Sequence, residues 1–169
     1  AIYNFNMLAK YIFHNNSLYN KLVELSRNIY FYNRLSLKDN FETRIMLIMV
    51  HLSIILIVFK EKNKSTFPQN IFDNIFLNIE YHLRESGHGD VVVNKKMKLI
   101  TRIFYNILLK LFNKNKVINN DLLNEYFLPT SNNKQQIGKE LADYFDDFYN
   151  FCFELDNNSV LKGQINFKY

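Results

Sequence analysis

Apolar residues recur at three- and four-residue spacing along nearly the whole chain, the period of a helix with one face turned inward. Phe72, Ile75, Phe76, Ile79 and Leu83 form one such face. The pattern predicts helices over Ser17–Arg34, Phe41–Lys60, Gln69–Ser86, Lys95–Phe112, Asn120–Phe127 and Lys134–Phe153, with a further short helix before His14. Period-two alternation is almost absent, and "DVVV" at 90–93 reads as a short extended connector. The breaks fall at "KEKNKSTFP", "NKNKVINND" and "LPTSNN", which are polar or contain proline. No internal repeat or long linker interrupts the series. The expectation is an all-α, single compact multi-helix domain of about six to seven helices over residues 1–169. Residues 1–16 and the polar tail 157–169 are expected to be less ordered.

The stretch "IMLIMVHLSIILIVF", Ile45 to Phe59, is apolar on every side and bounded by Arg44 and Lys60. It is shorter than the ~20 residues that cross a bilayer, and it contains His51 and Ser53. It reads as a buried core helix rather than a transmembrane span, with His51 as a hydrogen-bonded core histidine. The start of the chain lacks the basic region and clean apolar run of a secretory signal.

The distribution of charge is more telling than the composition. The net charge is +5, which favours acidic partners such as nucleic acid or anionic membrane. It is unevenly spread: Val91 to Asn120 holds seven Lys or Arg and no acid, whereas Lys139 to Asp156 holds six acids and one Lys. The single cysteine, Cys152, excludes a disulfide framework and fits a reducing compartment.

Two of the four glycines sit in "LRESGHGDVVVNKKMK", residues 83–98. Gly87 is placed to close a helix in the left-handed conformation, Gly89 to allow a second bend, and Asn94 to cap the next helix. Lys95, Lys96 and Lys98 would then occupy a first helical turn, where the macrodipole disfavours cations. Lys95, Lys98, Arg102 and Asn106 share one stripe. Either that stripe is a surface for an anionic group, or Asp90, Glu85 or the acidic C-terminal helix neutralises it.

Catalytic and metal chemistry find little support. His82, Glu85, His88 and Asp90 are close in sequence but lack metal-ligand spacing. Cys152 lies in the aromatic run "FYNFCFEL" and reads as a buried hydrophobe. No G-x-S-x-G occurs, and "SGHGD" is not a phosphate loop. The carboxylates of "DYFDD" lie on an exposed helix face. A binding protein without metal or cofactor is expected, not an enzyme.

The glycine segment resembles the signature of the ubiquinol–cytochrome c chaperone family. That pattern runs Leu-Arg-Glu, a spacer, Gly-Val-Gly-Asp, then Val, a basic pair and Lys. Leu83, Arg84, Glu85, Gly87, Gly89, Asp90, Val93, Lys95, Lys96 and Lys98 match it. Phe72 and Asp73 upstream, and Phe104 and Tyr105 downstream, are similar to flanking elements of the family. Leu18, Tyr19, Arg27, Phe31, Tyr32, Asp39, Arg44 and His51 resemble its N-terminal elements in bacterial members, and "LADY" at Leu141–Tyr144 its last helix. His88, Asn94 and Asn106 depart from the pattern. The resemblance runs from about Leu18 to Tyr144.

The resemblance implies an assembly factor that helps biogenesis of cytochrome b in respiratory complex III, of alphaproteobacterial type and cytoplasmic. Implied partners are nascent or newly inserted cytochrome b, the ribosome or a small co-chaperone, and the inner membrane by peripheral association. Partner contacts are expected at Arg84, Glu85, Asp90, Lys95, Lys98, Arg102, Arg27, Tyr32 and Arg44, with Gly87, Gly89, His51 and Tyr105 as structural positions. The alternative is a ribosome- or RNA-binding helical module that uses the stripe Lys95, Lys98 and Arg102.

Overall fold

The computed structural model describes residues 17–63, 66–131 and 137–169. Among them are seven α-helices: α1 (Ser17–Ser26), α2 (Phe41–Asn63), α3 (Gln69–Glu85), α4 (Asp90–Lys110), α5 (Asn120–Phe127), α6 (Gly138–Glu154) and α7 (Asn157–Leu161). A π-helical turn, Tyr30–Arg34, follows α1, and a 3-10 turn, Leu128–Thr130, follows α5. The fold is all-α, as the periodicity predicts. The helix before His14 and Lys134 itself lie outside the described residues.

α2 is the axis. It packs against α1, α4 and α6, while α3 joins α1 to α4 and α5 leans on α6. Its apolar residues surround the helix because neighbours lie on several sides: Leu47, Met49, Val50, Leu52, Ile54 and Ile55 are all fully buried. At 23 residues it is longer than the sequence reading, and by length and composition it is apolar enough to cross a membrane. In this fold most of it is enclosed by other helices. Polar groups inside it are met locally: Ser53 Oγ donates to the Met49 carbonyl at 2.7 Å.

Two departures from the helical periodicity have visible causes. The expected helix Ser17–Arg34 stops at Ser26, where side chains compete with the helical hydrogen bonds. Ser26 Oγ donates to the Val23 carbonyl at 2.7 Å, the Asn28 side chain accepts from the Tyr30 amide at 2.9 Å, and the Tyr32 hydroxyl donates to the Ser26 carbonyl at 2.6 Å. The tail beyond residue 157 is packed, contrary to its polar look. Asp156 caps α7 by accepting from the Ser159 amide at 2.9 Å. Val160 and Ile165 are buried, and the Phe167 ring meets Tyr144, Phe148 and Phe151.

Candidate functional site

The corner between α3 and α4 is closed by three devices. Gly87 has a φ of +88°, in the left-handed region, and its amide donates to the Arg84 carbonyl at 3.0 Å. Arg84 reaches across the corner to Asp90 and back to Glu80 at 3.4 Å. Gly89 is extended, with φ −74° and ψ 167°, and caps α4.

The lysines are therefore not where the sequence placed them. α4 begins at Asp90, so "DVVV" is helical and Asn94 is not a cap. An acid, Asp90, occupies the first turn, where the macrodipole favours it. Lys95 is already the sixth helical residue, and the expected repulsion at the helix end does not arise. The acids named as neutralisers of the lysines pair elsewhere or stand apart. Asp90 is held by Arg84, Glu85 lies 3.6 Å from His82, and Glu140 of α6 lies 3.9 Å from Arg34. Among the described residues, Lys95, Lys98 and Arg102 are exposed and in no salt bridge.

The N-terminal arginines gather nearby. Arg27 and Arg44 line a pocket of about 220 Å³ with His82 and Ser86 from the end of α3, over a floor that includes Tyr19, Val23, Ile45 and Ile48. Arg44 Nε donates to the Asn40 carbonyl at 3.3 Å and lies 3.7 Å from Asp39. Tyr32 stands beside both arginines. Burial, and then Asp39, push its phenol up to about 12, so it stays a neutral donor.

His51 and Cys152 belong to the core. His51 lies between the Leu47 carbonyl at 2.7 Å and the Tyr144 hydroxyl at 2.8 Å. Burial pushes the Cys152 thiol up to about 12, which removes it as a nucleophile. Among the described residues no cluster of His, Cys, Asp and Glu is arranged to hold a metal.

Sequence reasoning missed an apolar groove of about 640 Å³ between the C-terminal end of α2, the start of α3 and the second half of α4. Leu56, Ile57, Phe72, Phe104, Tyr105, Leu108 and Leu109 line it, with Lys60 at its rim. Tyr105 is on its lip, half exposed, with its ring edge against Phe104 at 5.3 Å. A partial signal existed: α2 is apolar all round, and Leu56 and Ile57 stay half-buried on the groove side while Val58 and Phe59 beside them are buried.

A model of the ubiquinol-cytochrome C chaperone family matches residues 33–167. The chain belongs to that family. The match starts later than the resemblance read from the sequence, after Tyr32, and it takes in the packed tail. The fold is similar to the crystal structure of the Cbp3 homolog from Brucella abortus, with a TM-score of 0.70 and 21% identity, over 99% of this chain and 96% of that one. At that identity the likeness shows the fold alone. No curated protein matches the chain. As a ubiquinol-cytochrome C chaperone it is an assembly factor for cytochrome b and complex III that acts by binding proteins, not an enzyme.

Proposed function

We propose that this chaperone holds an apolar segment of newly made cytochrome b in the groove between α2, α3 and α4, at the cytoplasmic face of the inner membrane. The observation that carries the reading is the groove itself. Its lining is aliphatic and aromatic, its volume of about 640 Å³ is in the range of a ligand pocket, and it opens to solvent. A membrane protein awaiting assembly offers apolar segments that such a surface shields from water. The corner residues Arg84, Glu85 and Asp90, and the pocket of Arg27, Arg44 and Tyr32, are proposed contacts for the polar parts of the client or a small co-chaperone.

Ile57→Asn and Leu108→Asn place polar groups on the half-buried groove wall. In a strain lacking the native gene, this double variant should accumulate as a folded protein yet restore much less assembled complex III. Full restoration by a folded double variant would remove the groove from the mechanism. A ribosome- or RNA-binding role draws support from the exposed stripe Lys95, Lys98 and Arg102, which forms no salt bridge among the described residues. It predicts ribosome co-sedimentation that falls steeply with salt.

A further inference from the structure

We propose that the outer face of α4 docks on a bilayer surface carrying anionic phospholipid. It rests on the proposed function for its purpose, since a client of this kind is met at a membrane. α4 carries five cations, Lys95, Lys96, Lys98, Arg102 and Lys110, against one acid, Asp90, which Arg84 already holds. The same helix exposes Val91 at 71%, Val92 at 42%, Leu99 at 48%, Tyr105 at 49% and Leu109 at 79%. That is five of the ten large apolar side chains exposed among the described residues, on one helix.

The two sets interleave. By helical spacing Val91, Lys95, Lys98, Leu99, Arg102, Tyr105 and Leu109 fall within roughly 120° of arc, opposite buried Val93, Ile100, Phe104 and Ile107. A helix face of Lys and Arg mixed with aliphatic side chains and a tyrosine matches a headgroup layer, where cations meet phosphates and apolar tips enter the acyl boundary. Nucleic acid would satisfy the cations alone. Val91, Val92, Leu99 and Leu109 have no face for base stacking and gain nothing against phosphate. The surface is also one face of a single helix of 21 residues, about 30 Å long, which can lie along a plane.

The chain contains no tryptophan, so Leu99→Trp gives a single reporter on this face. With phosphatidylcholine–phosphatidylglycerol vesicles and no client present, its emission should shift to the blue and the protein should float with the vesicles. Phosphatidylcholine alone should bind far more weakly. Lys95→Ala, Lys98→Ala and Arg102→Ala together should lower the affinity by roughly a hundredfold, from about a factor of five for each charge near the surface. Val91→Ser with Leu99→Ser keeps every charge and should still lose most binding. The proposal fails if the reporter does not shift, or if the serine variant floats like the parent chain. The second result would mark a purely electrostatic face, as for RNA. Neither failure touches the groove, and failure of the groove variants leaves vesicle binding as it was.

Discussion

His51 Nε2 accepts a hydrogen bond from the Tyr144 hydroxyl at 2.8 Å, across the interface between α2 and α6, with both side chains fully buried. The tautomer follows from the other nitrogen. Nδ1 lies 2.7 Å from the Leu47 carbonyl, which only accepts, so Nδ1 carries the proton and the ring is neutral. Burial lowers its pKa from 6.5 to about 4, against the opposing pull of the Leu47 carbonyl.

This gives a pH dependence with a definite sign. Above about 6.5 His51 is neutral folded or unfolded and contributes no slope. As pH falls from 6.5 towards 4 the unfolded chain takes up the proton first, so stability declines through that window. The loss from His51 should approach about 3 kcal/mol near pH 4. Calorimetric melts at steps of pH should show His51→Gln with a shallower decline than the parent chain. An equal slope in both would place the dependence elsewhere. Tyr144→Phe should cost about 1–2 kcal/mol at neutral pH, because it leaves buried Nε2 without a donor.

The two glycines of the corner should respond differently to alanine. Gly87→Ala forces a side chain into the left-handed region and should cost about 1 kcal/mol. Gly89 has an ordinary extended backbone, and a Cβ there meets nothing within 4 Å. Gly89→Ala should change stability by less than about 0.5 kcal/mol. Urea titrations of the two variants check the order.

Replacing Lys95, Lys98 and Arg102 with Ala should leave the melting temperature close to that of the parent chain. All three are exposed, no ion pair among the described residues is broken, and the helix end is already occupied by Asp90. A loss of stability beyond about 0.5 kcal/mol would show that the cations hold the fold together.

Ile165→Ala should destabilise the chain by about 2–4 kcal/mol, since the side chain is 1% exposed and its removal opens a cavity beneath the tail. A cost near zero in denaturant would return the tail to the loosely held segment its composition suggests.

Much of the fold is legible because local chemistry and packing agree. α5 runs from Asn120 to Phe127 as read, with Asn119 accepting from the Leu122 amide at 3.1 Å to start it. They disagree at 90–93. Three valines favour extended backbone, but Val93 is fully buried against the core and packing overrides propensity. The tail hid its order differently. Ile165 and Phe167 stand two apart, the spacing of an extended segment with one face inward, and a search for helical periods passes over it. The candidate site divides the same way. The corner is written in consecutive residues, whereas the groove exists only where three helices diverge.

α4 also sets a length scale. Phe104 and Leu108 on its inner side line the groove, and Lys95, Leu99 and Arg102 occupy its outer side. Tyr105 and Leu109 stand where the two sides meet, so whatever fills the groove lies within one helix diameter, about 10 Å, of whatever the outer side touches. With its first turn tied to α3 through Arg84 and Asp90, this beam turns two binding events into one piece of geometry: cargo seated on one side is held within reach of the boundary it must enter.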